Sequence, residues 1–306
     1  MSLLRCELFK AATLLTAAVV FIPAPVLAET IEIKHAQGSA TVETNPEPVL
    51  VFDLAALDTL DTLGVAIAGV PSGVKPAYLE KYNSADYPKI GSLFAPDFEA
   101  VAGATPELII IGGRSATQYG ELSRISTTID VTADYADFLN SAEQQNKMLA
   151  AIFDKQVLVS EKIAALDQSI AKLREKSKGA GNALIVLTTG GKISAYGPGS
   201  RFGILHTEFG LVAAAPDLDV ATHGQAISFE FILKTDPDYL FVIDRDAAIG
   251  EKGQPAKALF DNELINRTKA ARLGQIIYLQ SDTWYLGGTG LNAMQMMVDE
   301  LSAALD

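Results

Sequence analysis

The pattern of apolar and polar positions in this chain occurs twice in the same form. Residues 97–114 and 228–245 align without a gap, and in each an amphipathic stretch leads to a proline and then to an apolar run, Leu108–Ile111 or Leu240–Ile243. The residue before a proline avoids the helical conformation, and an apolar run without alternation is typical of a parallel strand covered on both faces. The pattern therefore predicts a helix followed by a buried strand in each of two α/β lobes.

An arginine follows each predicted strand, at the same position of the repeat. These residues are Arg114 and Arg245, and Glu99 and Glu230 are a second equivalent pair, in the first turns of the two predicted helices. Ligands of open parallel sheets bind beyond the carboxyl ends of the strands. We therefore expect the two guanidinium groups to face a common cleft between the lobes.

Residues 29–140 are predicted to form the first lobe, in which strands and helices alternate. The hydrophobic pattern predicts a hairpin over Ile31–Thr44, a strand over Pro48–Phe52, a helix over Asp53–Leu63 and a strand over Val65–Val70.

Residues 141–178 are predicted to be a helical linker, because this stretch contains neither glycine nor proline. One straight helix through all of it would exceed ~50 Å at 1.5 Å per residue, so we expect a break near Phe153-Asp154, with Asp154 as a possible cap. Beyond the break, one helical stripe contains Val159, Ile163, Leu166, Ile170 and Leu173. That second part is long enough to run across both lobes.

Residues 179–306 are predicted to form the second lobe, with strands over Ala183–Leu187, Ile193–Tyr196 and Ile276–Leu279. The loop Gly197–Gly203 imitates a dinucleotide fingerprint, but its glycine spacing is one residue too long and it contains a proline. We interpret it as a tight turn that presents Arg201 to the cleft. The predicted fold class is α/β, with two Rossmann-like lobes that have central parallel sheets and are joined by a long α-helix.

Residues 1–28 have the features of a signal peptide. Arg5 and Lys10 precede the apolar stretch Ala11–Ile22, and small residues end at Ala28. We expect cleavage near Ala28 and export to the periplasm. The single cysteine, Cys6, precedes the apolar stretch and is misplaced for a lipid anchor.

The overall charge is strongly acidic. The chain has 24 basic and 37 acidic side chains and a formal net charge of −13, and removing residues 1–28 takes away Arg5, Lys10 and Glu7, which leaves −14. This balance argues against nucleic acid or an anionic membrane as a partner. An anionic ligand would need a local concentration of arginine side chains.

Several short motifs carry a family resemblance over nearly the whole chain after residue 28. They are Ser194-Ala195-Tyr196-Gly197, Ser200-Arg201-Phe202-Gly203, Thr222-His223-Gly224, Asp236-Pro237-Asp238-Tyr239 with Asp244-Arg245, and Trp284-Tyr285 before a glycine-rich turn. With these motifs the chain resembles the periplasmic siderophore-binding proteins of iron-siderophore ABC transporters. It is most similar to the branch that binds catecholates of the enterobactin and petrobactin types, in the class III periplasmic binding proteins, whose lobes are joined by a long helix.

The resemblance implies a role for particular residues. It implies an arginine triad around a ferric siderophore, matched by Arg114, Arg201 and Arg245, and a pair able to ligate iron, matched by His223 and Tyr285. It further implies ligand contact at Trp284 and docking to a membrane permease through Glu99 and Glu230. We expect a monomer that is not an enzyme and holds no permanent cofactor, its ligand being the iron(III)–siderophore complex.

The residue chemistry fits that ligand, and other ligands stay open. A ferric complex of three catecholates has a net charge of −3, and guanidinium is a permanently charged donor suited to planar oxygen ligands. Cobalamin or haem, with one histidine as axial ligand, is less attractive beside three arginines. A bare zinc or manganese site is difficult to assemble from the widely spaced His35, His206 and His223.

An exported hydrolase is a further alternative, because His223 and Ser228 lie close in sequence, but no G-x-S-x-G motif is present. The sequence leaves open which catecholate is bound and whether it offers iron four or six oxygens.

Overall fold

The computed structural model describes residues 29–221 and 223–306, so the predicted signal peptide with Cys6, and Thr222, lie outside the described residues. The strands are β1 Thr30–His35, β2 Gly38–Glu43, β3 Val49–Val51, β4 Leu108–Ile111, β5 Thr128–Asp130, β6 Asn182–Thr189, β7 Lys192–Tyr196, β8 Val212–Ala213, β9 Gln225–Ile227, β10 Tyr239–Asp244 and β11 Ile276–Tyr278.

The α-helices are α1 Leu54–Thr62, α2 Phe98–Gly103, α3 Tyr119–Leu122, α4 Phe138–Ile152, α5 Gln156–Ser177, α6 Ile204–Thr207, α7 Phe229–Thr235, α8 Arg245–Ala248, α9 Ala256–Phe260, α10 Glu263–Asn266, α11 Lys269–Arg272 and α12 Leu291–Ala304. Short 3₁₀ helices span Ala77–Asn83, Ala116–Gln118 and Tyr135–Asp137, and a π-helical turn spans Thr283–Gly287. Among these helices of the described residues, none is long and apolar enough to cross a membrane.

The first lobe is built on the parallel sheet β3-β4-β5, beside which β1 and β2 form the predicted antiparallel hairpin. The prediction of a strand over Val65–Val70 is wrong: only its last two residues pair, through single bridges from Gly69 to Leu50 and from Val70 to Lys89. Pro71 follows directly and has no N–H with which to extend the pairing beyond Val70.

The second lobe is built on a mixed sheet with the order β11-β10-β6-β7-β9, in which β8 also pairs with β6. Strands β6, β8, β10 and β11 run parallel, as expected, whereas β7 and β9 are part of antiparallel pairs. The reversal occurs at Gly190-Gly191, whose φ angles are 54° and 76°. Two glycines with positive φ form a two-residue hairpin, which can connect only antiparallel strands.

The predicted helix–proline–strand repeat is confirmed, and its two copies match in detail. The Asp97 carboxylate accepts a hydrogen bond from the Ala100 N–H at the start of α2, and the Ser228 hydroxyl has the same role at the start of α7. After each helix the chain enters the left-handed region, at Thr105 with φ 44° and at Asp236 with φ 45°. The proline and the buried strand follow in both copies.

The predicted break in the linker is confirmed, but the prediction that Asp154 caps the second helix is wrong. Helix α4 ends at Ile152, α5 begins at Gln156, and the residue at the N-cap position is Lys155. Asp154 has a left-handed backbone, with φ 53°, and its carboxylate accepts a hydrogen bond from the Asn45 amide. That side chain is engaged by the first lobe and does not satisfy the first amides of α5.

Helix α5 contacts both lobes through its apolar stripe. Val159 and Ile163 pack in a cluster with Leu63 of the first lobe, whereas three further residues of the stripe pack in the core of the second lobe. Those three residues are Leu166, Ile170 and Leu173. The stripe predicted from the sequence therefore joins the two halves of the molecule.

The first turn of α12 forms a second connection between the lobes. The Ala293 N–H donates a 2.8 Å hydrogen bond to the buried carboxyl group of Asp58 on α1, and the Leu291 N–H donates to the Thr59 hydroxyl at 3.4 Å. The remainder of α12, including Met294 and Leu301, packs in the core of the second lobe. Burial raises the pKa of Asp58 to about 7, despite the hydrogen bond from Ala293.

Candidate functional site

Three arginine side chains converge on one tyrosine between the lobes. Arg114 Nη2 donates a 2.8 Å hydrogen bond to the Tyr285 carbonyl oxygen, and Arg201 Nη2 donates to the same oxygen. Arg245 Nε donates to the Tyr285 hydroxyl at 3.1 Å. The three guanidinium carbons lie 5.3, 4.5 and 5.7 Å from the centre of the Tyr285 ring. The structure thus brings together the three arginines that the sequence singled out.

Two of these arginines are placed by the ends of parallel strands. Arg114 follows β4 in the turn Gly112–Ser115, which is closed by a 2.8 Å hydrogen bond from the Ser115 N–H to the Gly112 carbonyl oxygen. Arg245 directly follows β10, and its Nη1 donates to the Thr189 hydroxyl at the end of β6, at 3.2 Å. The two arginines lie close together because β4 and β10 both have their carboxyl ends at the cleft, as expected for the ligand site of open parallel sheets.

Arg201 reaches the site by another route. It lies in the loop after β7, a strand that runs antiparallel to β6, so the strand-end rule does not account for its position. Its guanidinium carbon lies 5.1 Å from the centre of the Phe202 ring, and Phe202 is buried in the core of the second lobe. The buried neighbour anchors the loop and directs Arg201 towards Tyr285.

Tyr285 lies on the π-helical turn Thr283–Gly287, and such turns are rare and frequent at functional sites. The Asp282 carboxylate caps this turn by accepting a hydrogen bond from the Thr283 N–H, and it accepts another from the Ala77 N–H of the first lobe at 3.0 Å. At the other end, Gly288 has φ 50° and ψ −116°. The sequence signalled a glycine-rich turn here, and the π-helical geometry was not predicted.

The charges around Tyr285 favour its deprotonated form. Burial alone would raise the pKa of the phenol, but the hydrogen bond from Arg245 and the charges of Arg201, Arg245 and Arg114 lower that pKa below its ordinary value. Burial and the nearby charge of Arg201 in turn lower the pKa of Arg114. The site is therefore a concentration of positive charge in a strongly acidic protein, which suits an anionic ligand.

Carboxylates balance this charge only at its edges. Asp246 and Glu251 lie 3.6 and 3.8 Å from Arg245 Nη1, and the charge of Asp53 acts on Arg114. The Glu251 side chain is largely exposed, so its attraction is weakened by solvent. The centre of the arginine cluster therefore remains available to the anionic oxygens of a ligand.

Trp284 is buried behind the site. Its indole N–H donates a 2.8 Å hydrogen bond to the Glu300 carboxylate on α12, and 1% of its surface is exposed. Together with Arg201 it lines a small pocket to which Tyr135 also contributes. Tyr135 was not predicted from the sequence, because its place beside Arg201 depends on how the segment before α4 packs.

Among the described residues, the structure shows no direct contact between His223 and the arginine–tyrosine cluster. It is exposed in the loop before β9, beside Thr222. A Cβ atom on the next residue, Gly224, would come within 2.8 Å of the Tyr196 ring, and charge interactions couple Tyr196 to Arg201 and Tyr285. Among the described residues, no group of three or more His, Cys, Asp or Glu side chains could hold a metal ion by itself.

Glu99 and Glu230 are exposed and occupy the second positions of α2 and α7. A hydrogen bond from the Ser228 hydroxyl lowers the pKa of Glu230. The two carboxylates therefore have equivalent positions on the surfaces of the two lobes.

Comparison with known proteins identifies close relatives. Residues 49–283 match the model of the periplasmic binding protein family. The chain is 41% identical to the petrobactin-binding protein YclQ of Bacillus subtilis over 91% of this chain and 89% of that protein. The crystal structure of YclQ superposes with a TM-score of 0.88, covering 91% of this chain and 99% of that chain.

Two further relatives come from Vibrio species. The ferric-anguibactin-binding protein FatB of Vibrio anguillarum is 30% identical over 89% of this chain and 86% of that protein. The periplasmic catecholate-siderophore binding protein VctP of Vibrio cholerae is 34% identical, with a TM-score of 0.86 over 90% of this chain and 100% of that chain.

Proposed function

The chain belongs to the periplasmic binding protein family, and on this premise we propose that it is the periplasmic receptor of an ABC transporter that captures ferric catecholate siderophores for iron uptake. The observation that carries the proposal is the convergence of Arg114, Arg201 and Arg245 on Tyr285. Three charged donors around one point match a trianionic ferric tris-catecholate in charge, and each guanidinium group can donate hydrogen bonds to its planar oxygen ligands.

Ligand binding at this site is an exchange of hydrogen-bond acceptors. In the structure, two guanidinium groups donate to the neutral carbonyl oxygen of Tyr285. Catecholate oxygens carry negative charge, and charge-assisted hydrogen bonds are roughly twice as strong as neutral ones. An arriving ferric catecholate therefore displaces the Tyr285 carbonyl oxygen as the hydrogen-bond acceptor of Arg114 and Arg201.

The same cluster disfavours the other ligands considered for this class. Cobalamin carries a single phosphodiester beside neutral amide side chains, and haem carries two propionate groups on one edge, so neither offers anionic partners to three converging guanidinium groups at once. Buried charges without partners are costly. A ferric catecholate instead supplies anionic oxygens in several directions.

Fluorescence of Trp284 gives a direct test, because it is the only tryptophan in the chain and lies next to Tyr285. Titration with a ferric tris-catecholate is expected to quench the emission, because the complex absorbs light close to the indole. The quenching should saturate at one ligand per protein. A neutral ferric hydroxamate is the control and should bind far more weakly. The proposal is wrong if no ferric catecholate quenches the emission, or if the hydroxamate binds equally well.

We further propose that Tyr285 and His223 ligate iron when the siderophore leaves coordination positions open. The lowered pKa of Tyr285 supports this role, because a phenol must lose its proton to bind the metal. For His223, the support is that the next residue, Gly224, packs against the Tyr196 ring, on which the charges of Arg201 and Tyr285 act. A bis-catecholate fills four of the six positions on iron(III), so two protein ligands complete its coordination.

A comparison of two ligands distinguishes iron ligation by Tyr285 and His223 from mere packing against the siderophore. Tyr285→Phe and His223→Ala should weaken a ferric bis-catecholate much more than a ferric tris-catecholate, whose six oxygens already saturate iron. They should also shift the visible charge-transfer band of the bis-catecholate complex alone. Equal losses of affinity for both complexes, or an unchanged band, would show that the pair does not touch the metal.

For the partner, we propose that Glu99 and Glu230 dock the receptor on its membrane permease, one carboxylate from each lobe. Their exposure and equivalent positions support this proposal. The double change to alanine should leave siderophore affinity nearly intact and abolish uptake by cells. Glu263→Ala, at an exposed first-turn position of α10, is the matched control and should leave uptake unchanged. Normal uptake by the double variant would contradict the proposal.

A further inference from the structure

Two exposed phenylalanines adjoin Glu99 on the first lobe. Phe94 lies in the loop before α2 and is 63% exposed, and Phe98 lies in the first turn of α2 and is 39% exposed. Single exposed apolar side chains are normal on a protein surface. Two aromatic rings beside a carboxylate are a more specific combination, and aromatic residues are enriched where proteins bind one another. We call Phe94, Phe98 and Glu99 the aromatic–acidic surface.

The internal repeat shows that this exposure is not required by the fold. Phe98 of α2 and Phe229 of α7 occupy the same position of the repeat. In the second lobe, the Phe229 ring meets the buried Phe260 of α9 edge to face, with centroids 5.9 Å apart and 87° between the planes. Among the described residues, Phe98 has no aromatic neighbour of this kind. The ring position that the second lobe covers with its own helix is therefore open to another molecule in the first lobe.

The loop that carries Phe94 is held in one shape by hydrogen bonds. The Ser92 hydroxyl accepts from the N–H groups of Phe94 and Ala95, at 3.3 and 3.0 Å, and the Ser92 N–H donates to the Ala95 carbonyl oxygen at 2.8 Å. Gly91 has φ 111°, and a Cβ atom there would lie 2.4 Å from the Asp97 nitrogen, so the turn requires glycine. Ordering a flexible loop opposes binding, and this loop is already ordered.

The aromatic–acidic surface lies at the same edge of the first lobe as the binding site. Helix α2 packs on the sheet through Val101, and a short connection leads from it into β4. A helix that leads into a parallel strand by a short connection runs in the opposite direction to that strand, so the start of α2 lies near the end of β4. Arg114 follows that end. A partner that receives the ligand from the cleft therefore approaches this surface.

The charge of the surface limits which partner can cover it. Glu99 is exposed, and no basic side chain in the part of the chain that the structure describes lies within ion-pair distance of it. Anionic lipid headgroups would be repelled by this carboxylate and by the net charge of −13. A second copy of this chain, in a symmetric contact, would place two such acidic surfaces against each other. The complementary partner is a basic protein surface with an apolar depression.

We propose that Phe94 and Phe98 form an apolar anchor of the receptor on its membrane permease, seated in an apolar depression beside the basic side chain that Glu99 meets. The inference rests on the proposed docking through Glu99 and Glu230. It adds an asymmetry to that docking, because the ring equivalent to Phe98 is covered in the second lobe. The two carboxylates alone are equivalent, so the anchor determines which lobe faces which side of the permease.

Iron uptake at an unchanged siderophore affinity tests the anchor. Phe94→Ser, alone and combined with Phe98→Ser, would be produced in limiting amounts in cells whose own copy of the receptor is deleted. Trp284 emission should report parent-like affinity for a ferric tris-catecholate. Uptake of radioactive iron from that complex should fall about tenfold or more in the double variant, and in part in Phe94→Ser, because loss of an anchor residue weakens an interface on this scale.

Leu273→Ser is the matched control and should leave uptake unchanged. Leu273 is 57% exposed and precedes β11, which is parallel to β10, so it lies at the edge of its sheet away from the cleft. Phe94 is mostly exposed, so Phe94→Ser tests the anchor even where the double variant folds poorly. Sedimentation of the parent, at a series of concentrations, tests for self-association through the same surface and should show a monomer.

Each outcome decides the inference. Parent-like uptake by both phenylalanine variants would overturn the anchor, and the docking proposal would stand if the Glu99 and Glu230 double variant still loses uptake. Normal uptake by that glutamate variant as well would remove the docking proposal and the anchor with it. An equal loss in Leu273→Ser, or a dimer of the parent that the phenylalanine changes abolish, would also overturn the anchor.

Discussion

The three arginines of the site differ in how fully their charge is already balanced. Arg245 has Asp246 and Glu251 within 4 Å, at 3.6 and 3.8 Å, and donates to the Tyr285 and Thr189 hydroxyl groups. Burial and the repulsion from Arg201 lower the pKa of Arg114, and the charge of Asp53 offsets this only in part. An incoming anion therefore relieves more unbalanced charge at Arg114 than at Arg245.

Replacing each arginine with glutamine should weaken ferric-catecholate binding by ~1.5–3 kcal/mol, the usual scale for a hydrogen bond to a charged group. The loss should be largest for Arg114 and smallest for Arg245, and lysine should rescue only part of it, because it lacks the planar fork. Titration calorimetry measures the effect, and Arg124→Gln, a largely exposed residue paired with Glu121, is the matched control. Parent-like binding by all three variants would place the ligand elsewhere.

Among the site residues, those that could be predicted from the sequence are the ones whose positions follow a general structural rule. Arg114 and Arg245 follow from the repeat and from the strand-end rule, and Arg201 was identified from its loop and from the family resemblance. Tyr135 escaped prediction because its place in the pocket depends on how the segment before α4 folds back on Phe202 and Trp284. No local pattern encodes that return.

Among the elements, the π-helical turn and α12 meet at a closely packed junction. A Cβ atom on Gly290, the N-cap residue of α12, would lie 2.1 Å from the Asp58 carboxyl oxygen, well inside contact distance. Asp58 is buried on α1 and cannot move away without losing its hydrogen bond from Ala293. The first turn of α12 is thus fitted to α1 through a glycine.

Gly290→Ala should therefore lower the free energy of unfolding by about 1–3 kcal/mol, the usual cost of overpacking a well-packed interior. Urea unfolding followed by circular dichroism measures this change. Gly120→Ala is the control, because Gly120 lies in α3 with open space around its Cβ position, and it should be neutral or slightly stabilising. Equal unfolding midpoints for the two variants would show that the contact is not tight.

Where an element departs from the expectation, the cause is local. The central strands of the second sheet are parallel, as predicted, but β7 is antiparallel to β6 because Gly190-Gly191 forms a two-residue turn. Asp154 has the side chain of a helix cap, but its left-handed backbone and its bond to Asn45 commit it elsewhere. Whether a residue caps a helix depends on its backbone conformation, which the residue type alone does not determine.

Across the whole molecule, the two lobes are held by α5, by α12 and by contacts of the first lobe with the π-helical turn. The Ala77 N–H bond to Asp282 joins residues 205 positions apart in the chain. The long helix between the lobes was predicted from the sequence, whereas these distant contacts were not, because they arise only when both lobes are folded and face each other. One of them, the Ala77–Asp282 hydrogen bond, holds the π-helical turn that carries Tyr285.

Asp58 lies at one of these connections and makes stability depend on pH. Its pKa is raised from 3.8 to about 7 by burial, so the folded protein holds this proton more tightly than the unfolded chain does. The contribution of Asp58 to the free energy of unfolding should therefore fall as pH rises from about 4 to about 7 and stay low above that range.

Asp58→Asn should remove this dependence, because asparagine does not titrate. The stability of the variant relative to the parent should rise by up to about 4 kcal/mol between pH 4 and pH 8, at 1.36 kcal/mol per pKa unit. Urea unfolding of both proteins at a series of pH values measures the difference between their free energies of unfolding. The effects of the other titrating groups are common to both proteins and cancel in this difference. A difference that is constant over this range would show that Asp58 keeps an ordinary pKa.

The central claim, that the arginine cluster selects a ferric catecholate, is tested most directly by native mass spectrometry in competition. The mature protein would be mixed with equal amounts of a ferric tris-catecholate, a ferric bis-catecholate, a ferric hydroxamate, cobalamin and haem. We predict one dominant species with a single ferric catecholate bound, and its loss when Arg114, Arg201 and Arg245 are all changed to glutamine. A dominant adduct with the hydroxamate, cobalamin or haem, or a catecholate adduct that survives the triple change, would contradict the account.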